Sequence, residues 1–233
     1  MKNIFTFWEG LKPAYIELCM ATWHFPFTLL NYENLNEYTD LSIDKLRRFS
    51  LPQIADAVRV HVLRDHGGHW LDADTIMIGD RLPDETIMGD PDIRTNSIGY
   101  LHTDPHSEMF ERLAEFQYNI INDDTRNTKS WSLLGNDFTD DYVKRHKDVT
   151  IHPIENCWPE TYMVGGGIPR IQKYRIFYFV EKHELSEIRK TDILMLHNSW
   201  TFDWYKSMTR DEVLAFDNCT LSNFLREILD VKL

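Results

Sequence analysis

Leu51-Pro52-Gln53-Ile54-Ala55-Asp56-Ala57-Val58-Arg59-Val60-His61-Val62-Leu63-Arg64-Asp65-His66-Gly67-Gly68-His69-Trp70-Leu71-Asp72-Ala73-Asp74-Thr75-Ile76-Met77-Ile78 is the stretch on which the fold turns. Leu51, Ile54, Ala55, Val58 and Val62 recur at helical spacing, and Gly67-Gly68 supplies a C-terminal stop, so residues 51–66 are predicted as one helix. Trp70-Leu71 then leads through Asp72-Ala73-Asp74 into a strand over 75–78. Toward the N-terminus, residues 4–8 read as a first strand closed by Glu9-Gly10. Pro13 opens a helix with Ile16, Cys19, Met20 and Trp23 on one face, and residues 28–31 form a second strand before a polar segment through Asp44. Strand, helix, strand, helix, strand in the first third predicts a Rossmann-like α/β layer. Toward the C-terminus the pattern predicts a helix over 108–121, a strand over 176–180 and a short buried strand over 193–196. Leu221, Phe224, Leu225, Ile228 and Leu229 mark a closing amphipathic helix. Its acidic residues are not the basic face of a membrane-surface helix.

At 233 residues the chain suits one domain, spanning 1–233, and its 42% apolar and 13% aromatic content argues for a packed core rather than disorder. Lys+Arg 25 against Asp+Glu 37 leaves a formal charge of -12. Such a surface repels phosphate backbones, so no nucleic-acid partner is expected. A phosphorylated ligand would need a local counter-charge, from a metal ion or from placed arginines. Cys19, Cys157 and Cys219 show no pairing pattern, which suits a reducing, cytoplasmic compartment. Glu9 and Lys12 interrupt any leader-like run, and no stretch reaches transmembrane length.

Two carboxylates one residue apart at a strand terminus can both reach a hard divalent cation that bridges diphosphate oxygens. Alone, the tripeptide is commonplace, and Asp90-Pro91-Asp92 is a second instance with the spacing of a solvated turn. Asp56 and Arg59, three apart on a helix, are surface neighbours, so the arginine can hold the carboxylate in a hydroxyl-binding pose. His61, His66 and His69 have metal-like spacing but straddle a helix end and a glycine turn, and are read as surface residues.

The run Ala55-Asp56-Ala57-Val58-Arg59, Leu63, then His66 to Asp74 resembles a signature of glycosyltransferase family 32, the capsular-polysaccharide type, and of the sugar-transferring domains of large clostridial toxins. Phe5-Thr6-Phe7-Trp8-Glu9-Gly10 is similar to that family's first strand, and Leu196-His197-Asn198-Ser199-Trp200 to its closing segment. The resemblance implies a GT-A fold: a Rossmann-like nucleotide-binding sheet flanked by helices, with a smaller acceptor-side region. It divides the chain at about residue 100, with the nucleotide-sugar half first and the acceptor side and metal-site completion in 101–233, in what may be part of a longer protein. It also implies Mn²⁺ or Mg²⁺ as cofactor, a nucleotide-sugar donor (UDP first, GDP second) and a glycan or glycoconjugate acceptor, with transfer by retention. Carried over residue by residue, Trp8 stacks on the base beside the Phe7 backbone, and Asn34 contacts ribose or base. Asp56 and Arg59 contact the donor sugar and phosphate side. Asp72 lies near ribose and metal, Asp74 binds the metal, His197 or its neighbours complete the metal site, and Trp200 closes over the diphosphate. Relatives carry Gly-Pro before the region where Gly135-Asn136-Asp137 stands here, a departure from the family pattern on the acceptor side, which Asn136 and Asp137 would line.

Two other readings remain at this level. Asp72-x-Asp74-x-Thr75 matches the opening of haloacid-dehalogenase-type phosphatases, with Asp72 as nucleophile and Asp74 as acid/base. A non-catalytic nucleotide-sugar-binding module is the other.

Overall fold

The computed structural model describes residues 3–160, 164–183 and 192–231. The chain runs β1 (Ile4–Phe7), α1 (Ala14–Ala21), β2 (Thr28–Leu30), α2 (Ile43–Leu46), α3 (Leu51–His66), β3 (Gly68–Leu71), β4 (Thr75–Met77), β5 (Ile87–Asp90), β6 (Thr95–Thr103), α4 (Glu108–Asn122), α5 (Asn136–Arg145) and β7 (Ile151–Pro153). It continues through α6 (Arg170–Arg175), β8 (Ile193–Met195), α7 (Asp203–Lys206), α8 (Arg210–Ala215) and α9 (Thr220–Ile228). The elements fall into two compact units that share the chain in alternation. One takes 1–10, 25–72 and 83–153; the other takes 11–24, 73–82 and 154–233.

The first unit is a mixed α/β layer around a six-stranded sheet of order β2-β1-β3-β6-β5-β7. β1 lies parallel to β2 and β3, β6 runs antiparallel to β3 and β5, and β7 is parallel to β5. All four residues of β1 are buried, as a strand covered on both faces requires. Helix α3 covers this region with Ile54, Val58 and Val62, which join Trp70, Leu101, Phe110 and Leu113 in one apolar cluster. Its start is set by Ser50, whose N–H donates to Gln53 Oε1 at 2.9 Å, and by Pro52 in the first turn. Its end is set by the glycine pair. Gly67 has φ +59 and its N–H reaches Leu63 O at 2.9 Å, while Gly68 has φ +98 with the Asn3 carbonyl 2.3 Å from where a Cβ would stand. Only glycine fits there, and the turn starts β3 beside β1.

The second unit contains the antiparallel pair β4–β8, with Ile76 opposite Leu194. Around it lie α1 and α6 to α9, with Tyr15, Tyr174, Tyr178, Tyr205 and Phe224 almost wholly buried. Cys19, Cys157 and Cys219 are free and buried. No helix among the described residues is long and apolar enough to cross a membrane.

Several expectations are corrected. Residues 176–180 are not a strand but a wide helical turn that continues α6. Ile-Phe-Tyr-Phe-Val has strong β propensity, yet the Tyr174 and Tyr178 rings pack one turn apart with centres 4.9 Å apart and bury together, so packing outweighs propensity. His61 and His69 are not surface residues: they are 1% and 2% exposed, on the inner side of α3 and within β3. Residues 75–77 are a strand, but one that pairs with β8 in its own small sheet. β5 and β6 had no clear signature, because Thr95-Asn96-Ser97-Ile98-Gly99 lacks apolar alternation. They are joined by a turn in which Asp90 Oδ1 accepts the N–H groups of Asp92 and Ile93, the role expected of that second acidic pair.

Candidate functional site

In the first unit, α3 and β3 converge on one guanidinium. Arg59 is 4% exposed, and its Nη2 lies 3.1 Å from Asp56 Oδ1 and 3.1 Å from Asp72 Oδ1. Its Nε donates to Ala55 O at 3.2 Å and its Nη1 to Ile98 O, so the fork cannot turn. The Trp70 ring centre lies 5.2 Å from the guanidinium carbon, and Trp70 Nε1 donates to Asp72 Oδ1 at 2.9 Å. Trp70 and Asp72 share a strand face because side chains alternate with period two. Burial pushes the Asp56 carboxyl up to about 7, with Arg59 pulling it down and the Asp72 charge pushing it further up. Asp72, by contrast, remains partly open to solvent. Gly135, which caps α5, leaves no room for a side chain: a Cβ would stand 2.4 Å from Ile98 Cδ1 and 3.0 Å from Asp56 Oδ2.

Phe7 and Trp8 lie at the end of β1. Phe7 is buried, and Trp8 is half-buried with its N–H on Leu30 O at 3.0 Å. The Trp8 indole N–H is enclosed and has no hydrogen-bond partner among the described residues. Asn34 is spent on its own turn: its Oδ1 accepts from Asn31 N at 2.9 Å and its Nδ2 donates to Leu29 O at 3.0 Å. Asp137 is exposed in the first turn of α5, accepts from Ser132 Oγ, and borders a cavity of about 470 Å³ with Arg112, Phe116 and Tyr142.

In the second unit Asp74 follows directly on the chain. Its Oδ2 accepts the Asn198 N–H at 2.8 Å, and its carbonyl accepts the Leu196 N–H at 3.1 Å, which binds the acidic residue to the segment after β8. Tyr15 OH donates to Asn198 Oδ1 at 2.6 Å, and Tyr174 OH meets Thr201 Oγ1 at 2.9 Å, bracing that segment from α1 and α6. The His197 ring packs against Trp200 (3.9 Å between ring centres) and Trp158 (4.9 Å), tilted by 36° to each. Burial, followed by the positive charge of Arg170, lowers its pKa to about 3, so the ring is neutral at physiological pH. Arg170 lies over Trp158 at 3.9 Å and over Trp200 at 5.5 Å, and Arg175 Nε holds Trp200 O at 2.9 Å. Glu160 is fully buried, accepts from Tyr178 OH at 3.2 Å, and is pushed up to about 7 by burial.

The predicted residues therefore gather in two groups: Asp56, Arg59 and Asp72 in one unit, Asp74, His197 and Trp200 in the other. Asn34 and Asp137 are engaged elsewhere in the first unit. Among the described residues no three His, Cys, Asp or Glu side chains converge as a metal cage. Sequence reasoning missed Trp70 as the partner of Asp72, although strand alternation signalled it. It also missed Tyr15, Glu160 and Arg170, whose roles arise from contacts distant in sequence. The reading of Asp72 as a phosphatase nucleophile meets an Oδ1 already claimed by both Arg59 and Trp70.

No curated protein sequence matches the chain. A solved structure titled PaToxG Glycosyltransferase aligns at 15% identity over 62% of this chain and 68% of its own, with a TM-score of 0.41. The sequence profile described as "Capsular polysaccharide synthesis protein" matches residues 1–150, which include Trp8, the Asp56–Arg59 helix and Asp72-Ala73-Asp74. That match spans more than half of the 233 residues, and on it the chain belongs to the capsular polysaccharide synthesis protein family.

Proposed function

We propose that the protein is a metal-dependent glycosyltransferase. It moves a sugar from a nucleotide-sugar donor, UDP-linked first and GDP-linked second, to a glycan acceptor in surface-polysaccharide assembly. The observation that carries this reading is the Arg59 nitrogen shared by Asp56 and Asp72, two residues before a third carboxylate whose own pose is set by a backbone N–H.

Asp74 would offer the hard oxygen donor that Mn²⁺ or Mg²⁺ takes, with oxygens of the donor diphosphate and water as further ligands in this reading. Such an ion neutralises diphosphate charge inside a protein whose formal charge is -12. Asp56 accepts a hydroxyl of the donor sugar, oriented by Arg59, whose guanidinium faces the charge that develops on the leaving diphosphate. Trp8 stacks on the base and Trp200 covers the diphosphate. The acceptor oxygen forms its bond to the anomeric carbon as the bond to the diphosphate oxygen breaks. The electron pair leaves with the diphosphate, which takes the acceptor proton, and configuration is retained.

The test is Asp74→Asn, assayed by calorimetry with UDP- and GDP-sugars with and without Mn²⁺, and by transfer. Loss of Mn²⁺-dependent binding and a fall in transfer of about 10²–10³-fold, with an unaltered melting temperature, is the expected result. Full activity in this variant would remove the metal role, and turnover of a generic aryl phosphate without nucleotide binding would favour the phosphatase.

A further inference from the structure

Trp8 and Tyr32 follow two neighbouring strands that run parallel, β1 and β2, so both stand outside carboxyl ends, where open α/β sheets take their ligands. Tyr32 is held there in three ways. Its backbone N–H donates to Glu9 Oε2 at 2.9 Å, its ring meets Phe7 edge-on at 6.0 Å, and the Arg47 guanidinium carbon stands 5.8 Å from its ring centre. Arg47 follows α2, is exposed, and pairs with no carboxylate among the described residues. An unpaired guanidinium over a half-buried aromatic, close to a strand end, is unusual in so acidic a chain. At the neighbouring strand end, the Trp8 indole N–H is enclosed without a partner among the described residues, a costly state that a ligand acceptor would relieve.

We propose that Tyr32 and Arg47 form the base-side wall of the nucleotide site, with Arg47 hydrogen-bonding a keto oxygen of the base. The proposal rests on the donor reading of Trp8 above. Guanidinium carries only donors, so it suits the carbonyl oxygens of uracil or guanine better than the edge of adenine, where an amino donor stands beside a single ring-nitrogen acceptor. Phe7 and Glu9 fix Tyr32 from within, leaving Arg47 as the adaptable element that reads the base.

Calorimetry of UDP, ADP and inorganic pyrophosphate, each with Mn²⁺, tests this on the wild type, Arg47→Ala and Tyr32→Ala. Arg47→Ala is expected to weaken UDP about 10-fold and to leave ADP and pyrophosphate unchanged, collapsing the preference for UDP over ADP. Arg47→Lys should restore part of it, and the exposed position predicts no change in melting temperature. Equal weakening of UDP, ADP and pyrophosphate would place Arg47 at the phosphates and overturn the wall. Binding unaltered in both alanine variants would overturn it too, while leaving the donor reading standing. Failure of the wild type to bind any nucleotide overturns the donor reading and the wall together.

Discussion

Asp56 and His61 lie on the same helix, and burial drives their protonation in opposite pH windows. Asp56 sits at about 7 in the folded chain against about 3.9 for an unfolded aspartate. The folded state therefore binds the extra proton between these values. Its contribution is complete below about pH 4 and is lost as pH rises through 7. Asp56→Asn should accordingly gain stability relative to the wild type between pH 5 and pH 8, measured by denaturation midpoints. A constant difference would show that Asp56 is ionised throughout. His61 is lowered to about 4, first by burial and then by Arg64, against about 6.5 unfolded. Its contribution is complete above 6.5 and is lost as pH falls toward 4. Asp40 Oδ1 lies 3.8 Å from its Nδ1 and offsets part of the shift, too far for a hydrogen bond of ordinary length. His61→Leu should therefore narrow the drop in melting temperature between pH 7 and pH 5, and an unchanged drop would place the acid sensitivity elsewhere.

At the scale of elements, the turn between α3 and β3 decides whether Asp72 arrives beside Arg59. Gly68→Ala meets both a positive φ and the Asn3 carbonyl at 2.3 Å, which is backbone and cannot swing away. A cost above about 2 kcal/mol is expected, together with weaker donor binding, because β3 must shift. Gly165→Ala is the contrast: nothing stands within 4 Å of its Cβ and its φ is unremarkable. It should change stability by no more than about 0.5 kcal/mol. Chemical denaturation of the two variants checks both values, and equal effects would refute the account of the turn. Residues 176–180 carry the opposite lesson. Their β-forming side chains are read correctly one by one, yet the buried tyrosines of α6 extend the helix through them.

For the molecule as a whole, the alternation of the two units along the chain matters most. The family profile ends at residue 150, which invites a fragment of 1–153. Such a fragment would keep β4, all three residues of which are buried, while losing β8, the strand it pairs with. It would also keep the buried Tyr15, Ile16, Leu18 and Cys19 of α1 without α6 to α9 of the same unit. Exposed apolar strands and helix faces associate, so the fragment should elute as aggregates and unfold without a cooperative transition. A monomeric fragment that melts cooperatively would contradict this.

What the amino-acid order determined by itself is what lies within reach of a few residues. The helix from Leu51 to His66, its glycine stop and the pairing of Asp56 with Arg59 follow from spacing along one helix, and the β3 strand with its acidic end follows from alternation. Only the tertiary structure brought Asp72 to Arg59 and joined Asp74 to Asn198, 124 residues away. It alone packed His197 against two tryptophans, raised Asp56 to about 7, and made a helix of 176–180. Local spacing is dictated by covalent geometry, whereas these contacts depend on which surfaces bury together, and burial also sets the charge state of the groups it encloses.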